Sequence, residues 1–338
     1  MERVTRRLAA YGWEIVLLGL LVGAVVLNAN ISPFYLNANQ ILNGLRFIMV
    51  PGLLALALTV IVIQGEIDIS LPSQVAVGTV LLGTLATEGF PYPLAVPLVL
   101  VVGALLGAFN GLVVTSFGLP SMAVTFGTLW AYRGLAYLLP NGEYGYASTA
   151  FGEEYFWIGG TKIDGLVPVG LVILTVAAVA IGMLVHRATY GRWTYAIGNN
   201  SQAARFSGVR VGLVKTGAYA LGGVMAALGA IIFVGQYESA RGDNMEGQLL
   251  FIVAAVVLGG IDLMGGRGHV IGVVLSILLL GTLLNGMGLA NIDSTVQLLV
   301  FGALLVGSVL IQRGAQWGRA LARRRAAASE AAVSATSR

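Results

Sequence analysis

Cysteine is absent from the 338 residues, and histidine occurs only twice. Without cysteine there are no disulfides, no thiolate metal sites and no cysteine nucleophile. Lysine is equally scarce: Lys162 and Lys215 are the two in the chain, neither lies in a glycine-rich loop, and no G-x-x-x-x-G-K-S/T occurs. A Walker-type ATPase on this chain is therefore excluded. G-x-S-x-G and H-E-x-x-H are missing too, so neither a nucleophile elbow nor a zincin site is present. His186 and His269 stand singly at the ends of apolar runs, with no second ligand at metal spacing, and read as structural or interfacial residues. No catalytic residue, metal ligand or cofactor is expected on this chain. Charge is the last shortage: 10% of residues are charged, against about 25% in soluble domains.

What fills the chain instead is apolar. Hydrophobic residues make up 57%, mean hydropathy is +0.87, and several runs approach the roughly 20 residues that span a hydrocarbon core. Ten apolar segments can be marked, near 14–30, 46–64, 71–87, 93–115, 120–139, 165–185, 214–235, 248–262, 269–289 and 295–312. In lipid, an open sheet would leave unpaired backbone groups, so each segment reads as a helix. The expectation is an all-α polytopic membrane protein with about ten transmembrane helices over residues 1–312. Residues 313–338 form a basic, then Ala/Ser-rich tail expected to be disordered. The opening run resembles a signal-peptide n-region, but its long apolar stretch and lack of a cleavage site favour a retained anchor helix.

Basic residues set the orientation. With the N-terminus inside, 15 of the 19 Lys and Arg residues fall on the cytoplasmic side, the other four being Arg46, Arg133, Lys162 and Arg241. The positive-inside rule then places both termini in the cytoplasm and accounts for the net charge of +4 without nucleic acid. Two connections are long: residues 141–164 outside, carrying Glu143, Glu153, Glu154 and six aromatics, and the basic residues 186–215 inside. Long loops in a chain of short ones are often functional.

Glycine is plentiful at 47 residues. Gly103, Gly107 and Gly111 share one helix face, a small-residue seam that lets two backbones approach. A weaker pattern is an internal echo: Gln64–Ser70 (QGEIDIS) resembles Gly259–Met264 (GGIDLM), and LGTL recurs at Leu82–Leu85 and Leu280–Leu283, with spacings that differ by four residues. Paired glycine-rich breaks are a mark of transporters built from repeats. Within the first break, Glu66 and Asp68 read equally well as groups on a pathway and as residues that end a helix. Ionisable groups at membrane depth are expensive, which is why these two stand out.

Four stretches, in order, resemble one family: the permeases of bacterial ABC importers for ribose, xylose, rhamnose and autoinducer-2. Gly65–Ser70 (GEIDIS) looks like its G-G-I-D-I/L-S segment. Leu119–Thr128 (LPSMAVTFGT) with Arg133–Ala136 (RGLA) resembles its P-x-F/L-I/V-x-T-L-G-T and R-G-L-A stretches. Gly191–Asn200 (GRWTYAIGNN), with Ala203, Ala204, Ser207 and Gly208, is similar to G-R-x-x-x-A-x-G-x-N followed by A-A-x-x-S-G. Val257–Gly268 (VLGGIDLMGGRG) resembles the fourth motif. The resemblance runs from about Trp13 to Leu310. It departs at Glu66, where the family usually has glycine, and at Leu71-Pro72. Val274–Leu278 and Asn285–Asn291 look closest to rhamnose-type permeases, whereas Tyr11–Glu14 and Ser239–Arg241 look closest to autoinducer-2 ones.

The resemblance implies a type II importer-like fold in the bacterial inner membrane. It implies three partners: a second permease chain, an ABC ATPase chain that holds ATP and Mg, and a periplasmic or lipid-tethered binding protein. Within residues 186–215 it assigns the coupling to the ATPase to Gly198, Asn199, Ala203, Ala204, Arg205, Ser207 and Gly208. Alternating access would then run past polar groups on the helices, with Asn110, Thr125, Thr128, Asn285 and Gln297 as candidates beside Glu66 and Asp68. Glu238, Arg241 and Asp243 form a candidate docking patch for the binding protein. An ion-coupled secondary transporter, working without partners, is the competing class.

Overall fold

The computed structural model describes residues 12–140, 145–307, 310 and 314. The basic tail, apart from residue 314, and residues 141–144 of the long outer connection lie outside the described residues.

Each of the ten apolar segments contains a helix. In chain order the helices are α1 (Gly12–Ile31), α2 (Ala38–Arg46), α3 (Met49–Ile63), α4 (Leu71–Thr87), α5 (Tyr92–Phe117), α6 (Ser121–Leu138), the short α7 (Trp157–Gly160), α8 (Val169–His186), α9 (Thr189–Asn199), α10 (Ser201–Phe206), α11 (Val211–Tyr237), α12 (Leu249–Leu258) and α13 (Val270–Leu289). A last helix, α14, covers Ser294–Gly307. Two 3-10 turns (Ser148–Ala150 and Glu153–Phe156) and two short antiparallel ladders complete the described structure. β1 (Gly145–Tyr146) pairs with β4 (Ala240–Arg241), and β2 (Lys162–Ile163) pairs with β3 (Val167–Pro168).

By length and composition five helices (α1, α5, α8, α11 and α13) are able to cross a membrane, or six if α2 and α3, bent by 53° at their junction, act as one span. The expectation of about ten spans is not reached by that measure, and the reason is physical. A helix rises about 1.5 Å per residue against a core of about 30 Å, and α12 has only 10 residues and α4 only 17. Each of these is one half of a broken element, α3–break–α4 and α12–break–α13. Such breaks are tolerated at membrane depth where protein surrounds them.

Helix α3 is the axis of the structure. Its 15 residues are all buried, as expected of a helix that is apolar on every side. Around it pack α11, α12, α8 and α13. The peripheral α1 buries little beyond Leu17, Ala24 and Asn28. Two polar anchors hold it: the Trp13 indole N–H donates to the carbonyl of Leu258 (2.7 Å), and the Asn28 amide to that of Thr282 (2.7 Å). The turn from α5 to α6 follows from its residues: Gly118 adopts φ +65°, which ends the helix, and Pro120 caps the next one.

The glycine stripe is the seam between α5 and α11. A Cβ on Gly107 would run into the backbone of Tyr219 and Gly223, and one on Gly103 into the carbonyl of Gly223. Gly107→Val should therefore lower stability by about 1–3 kcal/mol, as overpacking does. Gly127→Val should not, because a Cβ there would meet no atom within 4 Å beyond its own helix backbone. Thermal unfolding of the two variants in detergent, followed by size-exclusion chromatography, checks the contrast. Equal melting would refute the seam.

Candidate functional site

Two regions gather the polar groups of this apolar chain, one at each end of α3. At the first, α3 and α12 both end in the same way. Gly65 (φ +77°) and Gly260 (φ +86°) take the left-handed conformation. Behind them Gly65 N–H donates to Val62 (2.8 Å) and Glu66 N–H to Ile61 (3.3 Å). Their counterparts are Gly260 to Val257 (2.9 Å) and Ile261 to Val256 (3.3 Å). These are paired Schellman closures, which satisfy carbonyls that a broken helix leaves open. An aspartate then turns each chain. Asp68 Oδ1 accepts from the Ser70 amide (2.9 Å), and Asp262 Oδ1 from that of Met264 (3.0 Å). The echo in the sequence is a repeat of conformation.

The two breaks touch each other and the end of α9. Gly266 N–H donates to the carbonyl of Ile63 (2.8 Å), and Gly198 packs so closely that a Cβ there would strike that same carbonyl. Asn199 reaches the Gly266 carbonyl (3.3 Å), the Tyr195 hydroxyl donates to Gly268 (2.7 Å), and Gln64 donates to the Thr194 hydroxyl (3.4 Å). His186 joins the edge of this region, its Nε2 accepting from the Val270 amide (3.2 Å).

Helix α10 hangs from this junction. Asn200 caps it, its side chain accepting from the Ala203 amide (3.0 Å). Ala204 is buried with Ile197, Val211 and Val214, Gly208 turns at φ +85°, and Phe206 is 91% exposed. Between α10 and the ends of α5 and α11 lies a groove of about 750 Å³, lined by Arg205, Phe206 and an ion pair between Lys215 and Glu66. Of the coupling candidates, Gly198 and Asn199 sit in the junction; Ala203, Ala204 and Arg205 lie on α10, and Ser207 and Gly208 follow it.

Deeper in, Asp68, Asn110 and Thr125 come together in one buried network. The Ser70 hydroxyl donates to Asp68 (2.6 Å) and accepts from Gln74 (2.9 Å) and Asn110 (2.8 Å). The Tyr132 hydroxyl donates to Asn110 Oδ1 (3.0 Å). Ile67 is held from two sides, its amide donating to Ser121 Oγ (3.1 Å) and its carbonyl accepting from Thr125 Oγ1 (3.3 Å). Thr128 attaches through the Thr125 carbonyl (3.4 Å). Among the described residues Asp68 Oδ2 and Gln74 Oε1 are buried without a partner. Asn285 is elsewhere: it seats α2, accepting from Gln40 (3.5 Å) beside Gly44.

At the opposite end of α3 a cavity of about 500 Å³ opens between α2, the end of α11 and the connection from there to α12. Gln297, Arg241 and Asp243 line it; Glu238 does not, being the exposed cap of α11. Arg241 grips Asp243 with two hydrogen bonds (2.9 and 2.8 Å), which hold the Asp243 carboxyl below the usual carboxylate range. The connection is fixed from below. Arg133, buried, donates to the carbonyls of Gly242 (2.5 Å) and Asn244 (2.8 Å), and the Asn244 amide donates to Thr79 (3.1 Å). Sequence reasoning missed Gln236, Gln248 and Asn244 here, and Ser70, Gln74 and Tyr132 in the network. Except for Asn244, which lies in the connection between α11 and α12, the available signal was a carboxamide or hydroxyl inside or at the end of an otherwise apolar helix.

Known proteins resemble this chain over most of its length. Residues 40–309 match the family described as branched-chain amino acid transport system / permease component. The autoinducer 2 import system permease protein of an Enterobacter strain is 36% identical over 301 residues, 88% of this chain and 92% of that protein. The corresponding Klebsiella pneumoniae protein is 34% identical over 318 residues, covering 92% and 96%. The ribose import permease protein of Bacillus subtilis is 34% identical over 302 residues, covering 88% and 91%. No solved structure gives a significant match. The apolar helices, the paired breaks and matches over most of the length lead to one conclusion: the chain belongs to the family of membrane permease components of import systems.

Proposed function

We propose that this chain carries a sugar or sugar-like molecule, of the ribose, rhamnose, xylose or autoinducer-2 class, into the cytoplasm by alternating access driven by a separate ATPase. The observation that carries the reading is the junction. Two broken helices and the α9–α10 segment share one set of backbone contacts around the Ile63 carbonyl. A push on α10 is therefore transmitted to both breaks without an intervening flexible segment. Movement of packed elements as rigid bodies is how small displacements become switches.

In this reading α10, with Gly198, Asn199 and Ala203–Gly208 around it, meets the ATPase that holds ATP and Mg, and the exposed Phe206 is its contact. The face bearing Arg205, Lys215 and Arg267 is cytoplasmic, as are both termini, and the membrane is the bacterial inner membrane. Ten helices in a type II importer-like arrangement would account for the short α4, α12 and α14 as parts of spans completed by neighbours. A second permease chain completes the pathway. On the far side a periplasmic or lipid-tethered binding protein docks near Glu238, Arg241 and Asp243. Of the polar groups proposed for the path, Gln297 borders the open cavity; Asp68, Asn110, Thr125 and Thr128 support the first break, Glu66 its ion pair, and Asn285 the seat of α2.

Labelled ribose, rhamnose and autoinducer-2 should enter vesicles only when the chain is co-expressed with its ATPase and binding protein and ATP is supplied. Uptake by the chain alone, driven by an ion gradient, would replace this reading with a secondary transporter. Phe206→Asp should reduce ATP-driven uptake roughly thirtyfold, the loss of about 2 kcal/mol expected of an aromatic interface anchor, while the amount of folded chain in the membrane stays constant. Uptake equal to wild type would remove Phe206 from the contact.

A further inference from the structure

The cavity at the far end of α3 carries more than a passage requires. Its walls hold four carboxamides (Gln236, Asn244, Gln248 and Gln297) drawn from α11, the connection after it, the start of α12 and α14. Gln236 is the telling one. Its amide N–H is spent on the carbonyl of Arg46 (3.3 Å), and its Oε1 is buried with no partner among the described residues. A buried acceptor left open is costly unless something else satisfies it.

Two further observations belong to the same cavity. Phe233 and Tyr237, one turn apart on α11, form an aromatic wall, their rings tilted 38° to each other with centroids 4.5 Å apart. Met245, also in the lining, adopts φ +62°, a left-handed conformation rare for a side-chain-bearing residue. Strain of this kind persists where surrounding contacts impose it, and it gathers at ligand sites. Here the surrounding contact is Arg133, whose guanidinium holds the carbonyls on either side of Asp243.

Charge narrows the ligand. The lining has two cations, Arg46 and Arg241, and two anions, Asp243 and Glu246; Arg241 and Asp243 already satisfy each other. The site is formally neutral and does not select for net charge. A branched-chain amino acid would need one partner for its carboxylate, one for its ammonium group and an apolar pocket for the remainder. Four carboxamides would then face a hydrocarbon side chain. A polyhydroxylated ring suits them better: the amide groups of Gln236, Asn244 and Gln297 already donate to Arg46, Thr79 and Ile292, which leaves carboxamide oxygens to accept from hydroxyls, while an aromatic wall covers the ring's apolar face.

Resting on the import reading above, we infer that this cavity is a selective site for a neutral polyhydroxylated ligand, so that the permease itself reads hydroxyl groups. Gln236 and Gln248 supply the hydrogen bonds that discriminate, and Phe233 and Tyr237 supply the platform. A volume of about 500 Å³ lies within the usual range for small-molecule sites.

The lack of cysteine makes the test direct. Leu284→Cys, on the cavity wall, gives the chain a single thiol, which a membrane-impermeant cationic thiosulfonate labels in right-side-out vesicles holding the assembled complex. D-ribose or L-rhamnose at twice its Kd should slow labelling about threefold, and L-valine should not. Gln236→Leu in the same background should abolish protection without changing the sugar-free rate. Gln248→Leu, on another helix, should do the same and serves where Gln236→Leu fails to assemble. Protection by valine equal to that by sugar, no protection by any sugar, or protection that survives both substitutions overturns the proposal. ATP-driven uptake measured in the same vesicles keeps the two readings apart. Uptake without protection sinks the site alone, and protection without uptake sinks the importer alone.

Discussion

The structure depends on one constraint: a helix broken inside an apolar body must satisfy its own backbone. No water is at hand to accept the freed carbonyls, and each group left open is costly. The chain meets this twice with the same parts, a left-handed glycine at Gly65 and Gly260 followed by an aspartate at Asp68 and Asp262 that binds the amide two residues on. Once the breaks are closed in this way, the Ile63 carbonyl is left to accept from Gly266. That bond fastens one break to the other. The tight approach of Gly198 to the same carbonyl follows from it, and so does the position of α10.

The rest of the architecture serves these breaks. Ser121, Thr125, Asn110 and Tyr132 come from α5 and α6, helices with no break of their own, and their hydroxyls and amides close around Ile67–Ser70. The α5–α11 glycine seam draws α5 close enough for Asn110 to reach Ser70. Lys215, near the start of α11, neutralises Glu66 at the edge of the same break. Packing, hydrogen bonding and charge thus converge on seven residues between α3 and α4, and the far cavity is free to be polar because its own connection is held separately by Arg133.

Much of this was legible in the sequence, for stated reasons. Apolar runs located ten of the fourteen helices, because hydrophobicity is a property of the residues themselves; α2, α7, α9 and α10 lie outside those runs. The glycines at 103, 107 and 111 announced a close crossing, since a spacing of four residues places them on one face. The echo of GEIDIS in GGIDLM announced two breaks. What stayed hidden was partnership. Asp68 reads identically whether it faces a pathway or Ser70. Arg133 within RGLA gave no hint of the carbonyls of Gly242 and Asn244, more than one hundred residues away. The number of spans was also hidden, because a run of apolar residues does not reveal whether lipid or protein surrounds it. For α4 and α12 it is largely protein.

Complete burial of α3 has a consequence of its own. A helix that meets lipid must match its length to the thickness of the bilayer, and it tilts or stretches the lipid when it does not. The 15 residues of α3 touch only other parts of the chain and are released from that requirement. Adaptation to a thicker or thinner membrane therefore falls on the outer helices α1, α5 and α8, most of whose residues are not buried, while the axis that carries both ends of the working structure keeps one fixed length in every membrane.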